Sequence, residues 1–248
     1  MKYIFKIIVQ ILVVFQTNTI IAQSVSLDFD ESVFINLSES IFNDVKNSIV
    51  IVSVKDGENA NTEAQTSIEL GVGVIYNKDG IVIINRYALR NHTSNLEITL
   101  ADGKKYPSKL VTIDEKNNLA ILKIPNNSDL KPTRLPKNLK LSIGQFLILI
   151  SHNRKEKSQN VITFISKMNF SDEIYPQSNY LTKESLLISS RARIKPVPGL
   201  LFNIRGELVG FSYLYFEDEI FTNKFAMATY ILELESILNE LDELKGEN

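Results

Sequence analysis

Between residues 48 and 124 the sequence breaks into six short apolar runs: Ser48 to Lys55 (SIVIVSVK), Ile68 to Tyr76 (IELGVGVIY), Ile81 to Asn85, Leu96 to Leu100, Tyr106 to Ile113 and Leu119 to Ile124. They are rich in Val, Ile and Leu, whose side chains suit a pleated surface. Between them stand turn signals, Asn-Lys-Asp-Gly at 77–80, Ala-Asp-Gly-Lys at 101–104 and Asp-Glu-Lys-Asn at 114–117. Strands so short and so regularly punctuated predict a small antiparallel barrel.

The pattern then stops and resumes. Residues 125–139 (PNNSDLKPTRLPKNL) carry prolines and few core residues, and mark a linker over 126–139. A second set of strands follows at Gln145 to Ser151, Val161 to Met168, Leu186 to Ser190, Gly199 to Asn203, Glu207 to Phe216 and Ile220 to Ala228. Residues 56–67 and 153–160 read as exposed loops. Leu37, Ile41 and Val45 have helical spacing behind Ser38 or Ser40, which predicts a short helix over 37–47. From Tyr230 to Leu244, Ile231, Leu234, Ile237, Leu238, Leu241 and Leu244 share one face. They predict an amphipathic helix packed on a barrel, because its acidic polar face disfavours a membrane surface. The expected fold is all-β: two six-stranded antiparallel β-barrels with a short N-terminal helix and a C-terminal amphipathic helix.

The N-terminus opens with lysines at 2 and 6, continues with an apolar stretch from Ile7 to Phe15 and reaches a small residue at Ala22. That layout predicts a signal peptide over 1–22, hence an exported, periplasmic or secreted bacterial protein. Membrane contact is expected only through this segment, were it left uncleaved. The remaining divisions are an extension over 23–36, the helix and first barrel over 37–125, a second barrel over 140–229 and the terminal helix over 230–248.

Composition removes several classes of chemistry. The 248 residues include no cysteine, so disulfides, thiolate nucleophiles and sulfur-ligated metals are excluded. Only His92 and His152 could offer imidazole, and neither has a carboxylate–histidine spacing for zinc, so no metal and no cofactor is expected. A net charge of −2 without a basic stripe argues against nucleic acid. Gly71-Val72-Gly73 lies in a strand without a following helix and is no phosphate cradle. Asp28/Asp30 and Glu217/Asp218/Glu219 read as solvated charge, short of the oxygen ligands that calcium needs.

Three blocks in order carry a resemblance. They are GVGVIYNKDGIVIINRYAL (71–89), DGKKYPSKLVTIDEKNNLAILKI (102–124) and IKPVPGLLFNIRGELVGF (194–211). Over roughly residues 40–240 the chain resembles the HtrA/Deg family of exported trypsin-like serine proteases. The first block is similar to that family's Gly-Ser-Gly-Val-Ile-Ile turn and the strand before Asn-His-Val-Val. The second resembles its Asp-x-x-x-Asp-Leu-Ala-Val-Leu-Lys segment, and the third its Gly-Asn-Ser-Gly-Gly-Pro-Leu turn. The resemblance implies the trypsin-like version of the two-barrel fold.

It also implies where the chemistry would stand. The histidine position falls on Tyr87, the aspartate on Asn118 and the nucleophilic serine on Val197. Serine attack needs a hydroxyl, an imidazole to take its proton and a carboxylate to orient the imidazole. A tyrosine, with a reference pKa of ~10, is a poor base at neutral pH. An asparagine cannot balance an imidazolium, and a valine is no nucleophile. Pro196 and Pro198 flank Val197 where the family uses backbone N–H groups as an oxyanion hole, and proline has none. Triad loss alone costs on the order of 10⁶ in rate.

The expected function is therefore that of a catalytically inactive pseudoprotease, not an enzyme, which binds a protein or peptide or serves as a scaffold. A groove beside a strand edge can hold an extended peptide without cutting it. Tyr87, Phe164, Val197 and Lys224 are the residues expected in that cleft, with Phe164 and Lys224 standing where the family has small pocket residues. The alternative is a residual or altered hydrolase using groups outside the triad positions. For that role His92 reads as a loop residue, His152 as structural or solvated, and Ser189 and Ser190 as strand residues.

Overall fold

Strands that are apolar at every position need burial on both faces, and two segments meet that requirement in the computed structural model. It describes residues 31–55, 67–115, 117–126, 129–153, 157–168, 185–190, 199–217 and 224–230. The expected signal peptide, Val197 and, beyond Tyr230, the C-terminal helix lie outside these residues.

The first sheet comprises β1 (Ile49–Lys55), β2 (Ser67–Ile75), β3 (Ile81–Asn85), β4 (Leu96–Thr99), β5 (Lys105–Asp114) and β6 (Leu119–Lys123). It is an antiparallel barrel in the order β1-β2-β3-β6-β5-β4, closed by the register of β1 with β4. Alternate residues point inward, and Val50, Val52, Leu70, Val82, Ile84, Ile98, Ala120 and Leu122 fill the lumen. The continuous runs are the strands with a second buried face. All five residues of β3 and the first four of β6 are buried. On β5, by contrast, exposed and half-buried residues alternate, so its outer face meets water.

The turns expected from the sequence are present. In the β2–β3 turn Gly80 has φ +88, and Asn77 Oδ1 accepts from Ile81 N at 3.1 Å. A Cβ on Gly80 would run into the carbonyl of Ile124, so this turn demands glycine twice over.

The second sheet comprises β7 (Phe146–Asn153), β8 (Lys157–Met168), β9 (Ser185–Ser190), β10 (Gly199–Phe202), β11 (Leu208–Glu217) and β12 (Lys224–Tyr230). Its order is β10-β11-β12-β9-β8-β7, closing between β7 and β10. Leu147, Leu149, Ile165, Ile188, Leu201 and Val209 form its interior.

Between the two sheets lies a third apolar cluster. Val72, Val74, Ile81, Ile83, Leu119 and Ile121 meet Ile148, Ile150, Leu200, Phe202, Leu208 and Phe211 there. A fully buried large side chain stabilises by about 1.5–3 kcal/mol, and Phe202 and Phe211 are 0% and 1% exposed. Helix α1 (Glu31–Val45) adds Ile41 and Val45 to this cluster. Residues 34–248 form one unit; of the preceding residues only Glu31–Val33, the start of α1, are described.

Several boundaries differ from the sequence expectation: Tyr230, expected to open the C-terminal helix, closes β12, and the N-terminal helix and β8 both start earlier than expected. The helix starts at Glu31 and not at 37, so Ser38 and Ser40 are interior and do not cap it. Phe34 extends the apolar stripe back by one turn, its ring meeting Phe146 edge-on at 5.4 Å between centroids. Residues 157–160, expected in a loop, belong to β8, with Asn153 opposite Lys157 and His152 opposite Ser158. The polar run hides a strand whose pairing comes from β7, not from its own apolar pattern.

The linker is pinned on both sides. Thr133 N donates to Ile75 O at 2.7 Å, and Leu208 N donates to Arg134 O at 2.8 Å. The Arg134 guanidinium holds the Asp44 carboxylate of α1 and donates to Arg205 O at 2.6 Å. The linker thereby joins helix, first sheet and second sheet.

Candidate functional site

The end of β3 brings the sequence-predicted residues together. Asn85, 2% exposed, closes the strand, and Arg86–Leu89 turn away as a single 3-10 turn. The Asn85 side chain caps that turn, with Oδ1 accepting from Tyr87 N at 2.8 Å. Its other end crosses to the second sheet, where Nδ2 donates to Ser212 O at 3.4 Å. One amide thus positions Tyr87 and ties it to β11.

Asn118 arrives beside the same turn through strand register. Asn85 lies opposite Leu119, and Arg86 N donates to Asn118 O at 2.8 Å. Asn118 is 3% exposed and has φ +58, a left-handed conformation that asparagine adopts more readily than most residues. The preceding turn is locked by Asp114, which accepts from Asn117 N at 3.1 Å and from its Nδ2 at 2.6 Å. A half-buried Tyr87 and a buried Asn118 therefore stand at the turn that Asn85 ties to β11.

Val197 lies outside the described residues; the chain re-enters at Gly199. Its N–H donates to Ser212 Oγ at 2.9 Å, and Ser212 is 3% exposed. A Cβ here would stand 2.7 Å from Ile150 O and 2.8 Å from Leu149 Cδ1. Only glycine lets the strand start this close to β7. Gly199 and Ser212 are register partners, the last pair that β10 makes with β11. β11 runs on to Glu217 with β12 on one side, and residues 213–217 have no strand partner on the other among the described residues.

Sequence reasoning missed a polar contact beside this site. His152 Nε2 lies 3.1 Å from Glu69 Oε2, joining β7 to β2, with side chains 9% and 34% exposed. Of the two readings of His152, structural or solvated, the structure has the first: it is a buried strand residue tied across the sheets. Glu69 is two residues before Gly71, where an added Cβ would stand 3.1 Å from Ala88 Cβ, so the pair lies at the Tyr87 end of the interface. His92 follows the 3-10 turn, its N–H donating to Leu89 O at 2.8 Å.

The other expected cleft residues are placed elsewhere or only by backbone. Phe164, 38% exposed, lies opposite Phe146 on β7, and Phe146 meets Phe34. Phe146 and His152 are separated by ~20 Å of strand, so Phe164 lies at the opposite end of β7 from the His152–Glu69 contact. Lys224 begins β12, with Ser190 and Glu217 as register partners. Ser189 and Ser190 lie on β9, as the sequence suggests.

Arg86 gives the site its charge. Its guanidinium lies 5.6 Å from the Tyr87 ring centroid, and its Nη1 is 3.2 Å from Glu115 Oε1. Among the described residues no group of acidic and histidine side chains has the arrangement of a metal site.

Comparison with known proteins fits this geometry. A family model described as trypsin-like peptidase domain matches residues 71–211, from β2 to β11. The periplasmic serine endoprotease DegP of Escherichia coli K12 is 24% identical over 158 residues, covering 62% of this chain and 32% of that protein. A probable periplasmic DegP-like endoprotease of Hahella chejuensis is 27% identical over 187 residues, 74% of this chain and 36% of its own. The matched region spans about a third of the length of these relatives. Among solved structures, an HtrA-type protease AlgW with decapeptide superposes with a TM-score of 0.65 at 16% identity, covering 83% of this chain and 67% of that one. That likeness shows a shared fold. With residues 71–211, more than half of the chain, matched by the family model and the relatives compared being DegP-type endoproteases, the chain belongs to the HtrA/Deg-like family of trypsin-like peptidase domains.

Proposed function

We propose that this chain is an exported two-barrel, trypsin-like pseudoprotease that holds a protein or peptide segment without cleaving it. The observation that carries the reading is the pairing of Tyr87 and Asn118 at one turn, at the positions where the family resemblance calls for histidine and aspartate. A phenol and a carboxamide cannot together relay a proton from a hydroxyl at neutral pH. Peptide capture draws support from the HtrA-type structural neighbour AlgW, a structure with a decapeptide, since an extended segment gains main-chain hydrogen bonds by strand addition. Export draws support from the N-terminal pattern and from relatives named as periplasmic.

A second reading, residual hydrolysis through other groups, draws on the His152–Glu69 contact at 3.1 Å, in which a carboxylate orients an imidazole. Incubation with denatured casein and labelling with a fluorophosphonate probe separate the two. The pseudoprotease reading expects neither cleavage nor labelling. Cleavage that vanishes in His152→Gln, or in a variant of any single serine, would overturn it.

A further inference from the structure

We infer that residues 231–244 form a helix that covers an apolar patch on the outside of the second sheet, at the end where β7 begins. The patch is made of Ile143, Phe146 and Phe164, which are 67%, 46% and 38% exposed. Phe146 and Phe164 are register partners and so share one face of the sheet. Their neighbours Leu147 and Ile165 fill the barrel interior, which puts the two rings on the outside. On that outer face Ile148 and its register partner Ile162 belong with the cluster between the sheets, so the patch is where that cluster reaches the surface. Gly144 N donates to Ile165 O at 2.7 Å and Ile165 N to Gln145 O at 3.0 Å, which holds the turn carrying Ile143 against β8. Phe34 of α1 borders the patch through its ring contact with Phe146.

Clustered large apolar side chains at a surface mark a docking site, and the chain itself brings the occupant there. Three antiparallel steps, β7 to β8, β8 to β9 and β9 to β12, make β12 run toward the end where β7 begins. Ser189 lies opposite both Phe164 and Phe225, so Tyr230, the last residue of β12, stands ~17 Å along the strand and ~10 Å across it from Phe164. A helix over 231–244 is ~21 Å long and reaches the patch from there without a linker. Its apolar face, which includes Leu234, Leu238 and Leu241, needs such a surface, because a helix this short is marginal alone in water. The rest of the stretch carries Glu233, Glu235, Glu240, Asp242 and Glu243 with no basic residue. Exposed Lys137 and Lys140 precede Ile143 on the chain, so the charges match as well. Tethering gives the segment a local concentration on the order of mM, which favours it over a second copy.

The chain has neither cysteine nor tryptophan, so each can be introduced as a single kind of reporter. In the full chain, Ile143→Cys is paired in turn with Leu234→Cys, Leu238→Cys and Leu241→Cys and oxidised mildly. At least one pair should close a disulfide within one chain, read on non-reducing gels and by mass. Val111→Cys, an exposed site on β5 of the first sheet, should close with none of the three. Separately, Phe146→Trp should emit at short wavelength and resist acrylamide. Adding Leu234→Glu and Leu238→Glu should red-shift that emission and raise quenching roughly threefold, as the indole passes from an apolar to an aqueous setting. Failure of every Ile143 pair to close, equal closure by the Val111 pairs, or an indole already exposed in the full chain overturns the inference. Disulfide-linked dimers, or an indole protected only at concentrations where sedimentation shows a dimer, assign the patch to a second copy and overturn it too. Where the doubly charged variant does not fold, the cross-link decides alone.

Discussion

Replacing Asn85 with Ala removes two bonds that no neighbour can restore, because the residue is 2% exposed and water does not reach it. The lost cap on Tyr87 N, at 2.8 Å, costs about 1 kcal/mol. The lost bond to Ser212 O is long, at 3.4 Å, and its removal leaves a buried carbonyl short of a donor, for about 1–2 kcal/mol more. The sum is about 2–3 kcal/mol, which for a chain of this size lowers Tm by roughly 5–10 °C. Asn85→Asp isolates the second bond. Its carboxylate still caps Tyr87 N but sets a negative charge against Ser212 O, so burial and the facing carbonyl raise its folded pKa above the unfolded ~3.9. Below that unfolded value the introduced group is protonated in both states, donates to Ser212 O and leaves stability near wild type. As the pH rises through the unfolded pKa, the unfolded chain ionises first and the variant loses stability. Thermal unfolding followed by circular dichroism from pH 3.5 to neutral, in steps of ~0.5, checks both variants. Equal Tm values for Asn85→Asp and wild type at neutral pH would refute the assignment of Asn85 as the tie between the sheets.

Gly199→Ala should fail to give soluble folded protein, or melt far below wild type, because its Cβ would stand 2.7 Å from a backbone carbonyl; soluble yield and a thermal melt report this. Glu97, whose side chain is 7% exposed, bonds Lys55 Nζ at 2.8 Å and Lys105 Nζ at 3.2 Å, and these contacts, Lys55 first, hold its pKa below the usual glutamate value. Its contribution to stability is complete above the unfolded pKa of ~4.3 and disappears as the pH falls through the lower folded value. Urea unfolding of wild type and Glu97→Gln should therefore differ at neutral pH by about 1–2 kcal/mol and converge in acid.

What the sequence made legible follows its local physics. The runs of β3 and β6 and the turns at Gly80 and Gly103 are written in consecutive residues, and the structure has them where the pattern puts them. The meeting of Tyr87 and Asn118 was also legible, but only through the family resemblance, because no local pattern specifies a strand register. Features set by distant partners were not. His152 follows the apolar run of its strand, and nothing local shows that Glu69, 83 residues away, pairs with it. The first residues of β8 are polar, and their strand character comes from β7. Phe164 drew attention for its size, which cannot tell one end of a strand from the other. Asn85 gave one weak signal: an amide closing an all-apolar run must find partners when it is buried.

The apolar cluster shared by helix α1 and both sheets has a consequence for how the molecule comes apart. Ile83 and Ile121 on one side and Phe202 and Phe211 on the other are buried only because the opposite sheet is there. Splitting them would expose apolar surface on both halves at once, so neither half retains a low-energy state of its own. The chain should therefore unfold in a single cooperative step, and a cut within residues 126–139 should yield halves that remain associated until both melt.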